Sequence, residues 1–384
     1  MLKDSSLKVL KMYDILIYNG IVIWGGIVKF IHCSDLHLDS AMETNLSAEK
    51  AKERSREMRR TFERMVAFAK DNLVRAIIIA GDMFDTERVT MRTSDFVLGI
   101  ISSAPEIDFL YLKGNHDENN LVFKNKQLPQ NLKFFSDSWL SYRYENVVIS
   151  GIELTEENKN SLYDSLSLSS ADVNIVTMHG QTSTQTGSEE ICLNKLKGKS
   201  IRYLALGHIH SYRKEQLDLD GEWCYCGCLE GRGFDECSDK GFVLLEVENN
   251  HLDSDFVPFA QRTLFEVPVD ISGLVSVNDI IIAAREASKN IDSKNLIKYV
   301  LCGSYTLQTQ KDIMYITEAL QDDFYFVKIK DESRLKLDEA DYSMDISLKG
   351  EFVRAVMASS LSEEEKSQII LCGLQALTGE EITL

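Results

Sequence analysis

Residues 28–37, Val28-Lys29-Phe30-Ile31-His32-Cys33-Ser34-Asp35-Leu36-His37, run from a continuous apolar stretch straight into an Asp-x-His pair. A short apolar run of this kind reads as a strand buried on both faces of a parallel sheet. Polar residues at its carboxyl end read as a site, because ligands of layered α/β folds collect where strands end and loops converge. The same arrangement recurs downstream. Strands are expected over 76–80, 108–113, 147–151, 173–178 and 203–206, and all but 147–151 lead directly into a motif: Gly81-Asp82, Gly114-Asn115-His116-Asp117, His179-Gly180 and Gly207-His208-Ile209-His210. Five of the seven histidines lie in these motifs. Chemistry explains that gathering better than core filling does.

The residue types fit a two-metal phosphoesterase. Two divalent ions about 3.5–4 Å apart can bind a phosphodiester, present a hydroxide in line with phosphorus and neutralise transition-state charge. That task calls for hard oxygen donors, neutral imidazoles and one carboxylate able to bridge. Asp35, His37, Asp82 and His210 are expected around one ion, and Asp82, Asn115, His179 and His208 around the other. His116 is then left for catalysis, stabilising the phosphorane or protonating the leaving oxygen, with Asp117 fixing its tautomer or its loop. Asp85 is expected either to orient a ligand or to cap the turn after Asp82.

Length and composition set the frame. A chain of 384 residues suits two domains, and 44% hydrophobic with 27% charged residues describes a globular protein with a real core. The net charge of −18 argues against a broadly basic, nucleic-acid-coating surface. Eight cysteines are too sparse for a disulfide scaffold and suit a reducing, cytoplasmic interior. Cys224, Cys226 and Cys228 alternate as small buried thiols would.

A helix is expected from an N-cap at Ser47 to Asn72, with Met58, Phe62, Met65 and Phe68 on its apolar stripe. Its Arg54, Arg56, Arg59, Arg60 and Arg64 alternate with glutamates, which reads as a solvated, ion-paired face rather than a DNA patch. Residues 118–131 read as a loop beside the site. The apolar run 15–28 is short for a membrane span and has no signal-peptide cleavage site. We expect residues 1–27 to be a non-native or disordered leader, with translation starting near Val28. The motif-bearing residues 28–262 form the catalytic domain, and strand-like and helix-like segments over 263–384 form a smaller C-terminal α/β domain that caps it and binds a partner.

The order of motifs resembles the calcineurin-like metallophosphoesterase superfamily. Within it, His32-Cys33-Ser34-Asp35-Leu36-His37, Gly81-Asp82-Met83-Phe84-Asp85 and Gly227-Cys228-Leu229-Glu230-Gly231-Arg232-Gly233-Phe234-Asp235-Glu236 resemble DNA-repair exonucleases of the SbcD and YhaO type. The resemblance implies a four-layer αββα sandwich with two sheets between helices, two Mn2+ ions, and nuclease action on DNA ends. It also implies an SbcC-like coiled-coil ATPase as partner and a homodimer; from the short apolar run, no membrane association is expected. Arg232 is a candidate phosphate contact, with an ion pair to Glu230 or Asp235 as the competing role. Two other functions compete: a small-molecule phosphoesterase acting on cyclic nucleotides or nucleotide diesters, and a non-catalytic assembly subunit.

Overall fold

The computed structural model describes residues 15–18, 21–24, 26–42, 46–85, 89–117, 123, 126–306, 309–336, 342 and 345–378. Much of the expected leader and the first half of the loop expected at 118–131 lie outside the described residues. Within the leader, Ile15–Tyr18 and Ile21–Trp24 pair as an antiparallel hairpin that joins neither large sheet. The chain divides into two compact units, Met1–Thr263 and Leu264–Leu384.

In the first unit, Val28–Cys33, Val74–Ala80, Asp108–Leu112 and Leu132–Phe134 run parallel, and the hairpin of Gly241–Glu248 and His251–Pro258 completes a six-stranded sheet at its antiparallel edge. A second six-stranded sheet has Glu222–Tyr225, Ile201–Gly207, Val173–His179 and Val147–Gly151 parallel at its centre. Arg213–Gln216 and Leu140–Tyr144 form its antiparallel edges.

Strand alternation sorts the apolar side chains into three cores. Phe30, Ala76, Ile78, Leu110, Ile175 and Tyr203 meet between the sheets. Their neighbours Ile31, Ile77, Ile79 and Phe109 face the other way, against Phe62 and Met65 of α1 (Ala48–Asp71) and Val97 and Ile101 of α2 (Met91–Ser102). Val176, Met178, Leu204 and Leu206 cover the outer face of the second sheet with Leu162 and Leu196 from two one-turn helices. The layering is αββα, with one thick helical layer and one thin one. Ser47 caps α1 as expected, its hydroxyl accepting from Lys50 N–H.

The second unit has a parallel three-stranded sheet of Leu264–Asp270, Leu296–Cys302 and Phe326–Asp331. Helices Val277–Ser288 and Ile313–Leu320 pack on it through Ile280, Ala284, Ile316 and Leu320. Helices Leu348–Met357 and Glu363–Thr378 join through Val353, Ile370 and Leu374. Among the described residues, no helix is long and apolar enough to cross a membrane.

The arginines of α1 depart from expectation. Arg54 is buried, pairing with Glu57 and with Glu230 at 3.1 Å and donating to Gly231 O at 2.9 Å. Arg64 lies over the Phe259 ring. The helix face is therefore not one solvated ladder of ion pairs. Arg54 is a structural tie from α1 to the Gly227–Glu236 segment.

Candidate metal centre

The carboxyl ends of five strands from both sheets converge at one place. Asp35 and His37 leave Val28–Cys33, Asp82 leaves Val74–Ala80, Asn115 and His116 follow Asp108–Leu112, His179 ends its own strand, and His208 and His210 follow Ile201–Gly207. Backbone hydrogen bonds fasten the first two loops: Asp35 N–H to Gly81 O at 3.0 Å, and His37 N–H to Asp82 O at 3.1 Å. Across the sheets, His208 N–H donates to both carboxylate oxygens of Asp35, at 3.1 and 3.2 Å. Asp35, His37, Asp82 and His208 all adopt left-handed backbone, with φ of 52°, 43°, 51° and 103°. Such conformations cost of order 1–3 kcal/mol each for non-glycine residues and cluster at functional sites.

Two groups of donor atoms result. Asp35, His37 and His210 form one, and Asp35, Asp82 and His179 the other; within each, the ligand atoms lie within 4.8 Å of one another. The two groups meet at Asp35, whereas sequence reasoning placed the bridge at Asp82. Asn115 Oδ1 joins the second group, 3.0 Å from His179 Nε2 and 3.4 Å from His208 Nδ1. His37 Nε2 and His210 Nε2 face each other at 3.3 Å, an opposition of ring nitrogens that a bound cation would satisfy. Carboxylate, imidazole and amide donors in this mix suit divalent ions such as Mn2+ or Zn2+. The residues present fit a dinuclear site.

The remaining ring nitrogens have partners that aim the donors. His179 Nδ1–H donates to Ala80 O at 2.8 Å, which turns Nε2 toward Asp82 and Asn115. His210 Nδ1 is 2.6 Å from Glu236 Oε1, and His37 Nδ1 is 3.0 Å from Asp85 Oδ1. Arg232 links those two carboxylates, 2.8 Å from Asp85 and 3.0 Å from Glu236. Its ion pairs are thus with Asp85 and Glu236, not with Glu230 or Asp235, because Arg54 and Thr61 already occupy Glu230. Sequence reasoning gave Glu236 no role. Its signal was present as the last residue of the Gly227–Glu236 motif.

His116 is exposed, with Nδ1 3.3 Å from Asp85 O and its ring 5.3 Å from that of His37. With Asp85 and His37 it forms a third, unexpected donor group. Asp117 is fully buried and accepts from Met83 N–H and Phe84 N–H, each at 3.1 Å, and Gly114 N–H at 3.3 Å. Of its two expected roles, fixing the loop fits this geometry. These three backbone N–H groups tie the Asp82 loop to the Asn115 loop through the Asp117 carboxylate.

Electrostatics follow from burial among opposed charges. Burial disfavours an ionised Asp82, but the hydrogen bond and charge of His179, with His37 and the His116 N–H, hold it at about 2. Burial likewise opposes protonation of His179, yet Asp82 and Asp35 raise it to about 9. Glu236 is held at about 2 by His210 and Arg232 against its burial. Asp117 goes the other way, pushed up to about 6 by burial and then by the Asp82 charge. A cleft of about 460 Å³ opens beside Asn115, His179 and His208, with Lys113, Glu153 and Glu189 also in its lining.

Residues 28–212 match the calcineurin-like phosphoesterase family, and the chain carries a calcineurin-like metallophosphoesterase domain. That class hydrolyses phosphoesters with two divalent metals. The chain is similar to an uncharacterized metallophosphoesterase named YhaO from Bacillus subtilis (strain 168), 27% identical over 246 residues and 60% of each chain. It is also similar to the DNA double-strand break repair protein Mre11 of Sulfolobus acidocaldarius, 24% identical over 317 residues, 77% of this chain and 80% of that one. The Mre11 of Saccharolobus solfataricus is 22% identical over 383 residues, 92% of this chain and 96% of that one. The match spans about 60% of the Bacillus relative's own length.

Proposed function

We propose that the chain is a manganese-dependent phosphodiesterase that hydrolyses DNA during end processing and repair, in the cytoplasm, together with an SbcC-like coiled-coil ATPase and as a homodimer. The observation that carries the hydrolase reading is the pair of donor groups meeting at Asp35. Similarity to DNA double-strand break repair proteins over most of the chain supports DNA as substrate. Asp35, His37, Asp82, Asn115, His179, His208 and His210 would hold the two ions. When bound, those ions supply Lewis acidity and a hydroxide nucleophile at neutral pH.

The chain's own residues do the rest. With His116 Nδ1–H donating to the Asp85 carbonyl, Nε2 is the ring atom presented to substrate. Protonated there, it stabilises the charged phosphorane and passes its proton to the leaving oxygen. Asp117 holds the loops of Asp82 and Asn115 in register through its three backbone contacts. Glu236 and Asp85 fix the rings of His210 and His37.

One observation favours a second reading, a small-molecule phosphoesterase. The adjoining cleft is within the size range of small-ligand pockets, and its glutamates repel a long polyanion. The discriminating experiment offers the purified chain, with manganese, end-labelled duplex DNA beside bis-p-nitrophenyl phosphate and cyclic AMP, with Asp82→Asn as control. DNA degradation that the control abolishes is the expected result. Turnover of only the small diesters would transfer the proposal to the second reading.

A further inference from the structure

The chain carries 18 excess negative charges, yet four arginines converge around a single glutamate among the described residues. Arg56, Arg59 and Arg60 of α1 and Arg92 of α2 line a cavity of about 230 Å³, with Glu63 and Phe96 completing its lining. Among the described residues, none of the four arginines forms a salt bridge. The neighbouring acids are engaged elsewhere: Glu57 pairs with Arg54 and Arg262, and Glu53 with Arg262. Glu63 alone cannot balance four guanidinium groups.

Their mutual repulsion is visible at Arg59, whose affinity for its proton falls through burial and then through the charges of Arg92 and Arg56. Like charges held together with no partner destabilise the free protein by self-repulsion and form a focused positive field. Arginine is the residue suited to such a site, since its planar fork meets phosphate oxygens in pairs. Arg56 and Arg60 stand one turn apart, about 6 Å along the α1 axis, so the patch presents charges in a row rather than at one point. A row of charges suits a strand of phosphates. Both helices also leave the site's own loops, α1 following the Asp35 and His37 loop and α2 the Asp82 and Asp85 loop.

We propose that Arg56, Arg59, Arg60 and Arg92 form a non-catalytic contact for the sugar-phosphate backbone of a nucleic acid. The proposal rests on the nucleic-acid reading above and adds the surface that compensates for an acidic chain. Arg60 and Arg92 are exposed, so exchanging them removes charge without opening a core.

The test measures binding of a labelled 40-base-pair duplex by the full chain carrying Asp82→Asn, with and without Arg60→Gln and Arg92→Gln, over a range of salt. In parallel, hydrolysis of bis-p-nitrophenyl phosphate is measured with the two arginine exchanges alone. We expect affinity to fall at least tenfold at low salt and the slope of log affinity against log salt to shrink by about 2, at roughly 0.9 per phosphate contact. Small-diester hydrolysis should not change, and lysine at both positions should restore the slope. Undiminished binding and slope in the glutamine variant would overturn the patch and leave the nuclease reading standing. A parent chain that turns over the small diester but neither binds nor cuts DNA would overturn both. Loss of small-diester hydrolysis in the arginine variant would place these residues in folding and overturn the patch.

Discussion

The ring of His210 faces the metal centre with Nε2 because Glu236 holds Nδ1 at 2.6 Å, and Arg232 in turn holds Glu236. Partners of this kind typically change metal affinity 10–100-fold when removed. Glu236→Gln should therefore weaken metal binding by about that factor while leaving the fold intact, as read by metal titration beside circular dichroism. Unchanged affinity would show that His210 needs no such support. His116 calls for the opposite outcome. Because its part is proton transfer, His116→Ala should keep both ions by elemental analysis and lose roughly 10²–10⁴ in turnover. Loss of an ion would make it a ligand, a role open to it through the donor group of His37, Asp85 and His116. The candidate donor residues stood out in the sequence as polar residues directly after apolar runs. Glu236 lies 26 positions from His210 on a loop of its own, and no local pattern announces such a pairing.

Glycines at the strand ends let the two sheets meet around His179. A Cβ on Gly207 would lie 1.8 Å from Ala80 O and 2.8 Å from His179 Nδ1, and one on Gly81 would lie 2.0 Å from the same ring nitrogen. Gly207→Ala should displace His179 and cost on the order of 1–3 kcal/mol, as overpacking does. Urea unfolding and metal content measure the two effects; a variant with normal stability and two bound ions would refute this account of Gly207. The strands leading to the site were legible because they are continuous apolar runs. Helix α1 was legible because its cap and stripe agree. Helix α2 was not, since its buried face includes Thr93 and Ser94 beside Val97 and Leu98, which hides the helical period. Val277–Ser288 escaped for the converse reason: the consecutive Ile280, Ile281 and Ile282 show no helical period, since Ile280 and Ile281 are buried while Ile282 is exposed on the helix.

Across the molecule, the first unit supplies every candidate metal ligand. Ligands that bind only the native state stabilise it by mass action, about 2.7 kcal/mol at a hundredfold excess over Kd. Manganese should accordingly raise the thermal midpoint and a chelator lower it, with Asp82→Asn blunting the response. A midpoint indifferent to both would mean that the native chain binds no ion. The sequence by itself determined the parallel α/β architecture and the set of polar residues presented at the strand ends, because apolar runs and the residues that end them are local features. Tertiary structure alone decided that Asp35 joins both donor groups, that Arg54 is buried in ion pairs while Arg56, Arg59, Arg60 and Arg92 form no salt bridge among the described residues, and that Arg232 joins Asp85 to Glu236. Charges find partners by distance in space, and Arg54 meets Glu230 across 176 positions of chain. Only the packing of α1 against the sheets and the Gly227–Glu236 segment sets which carboxylate each arginine reaches.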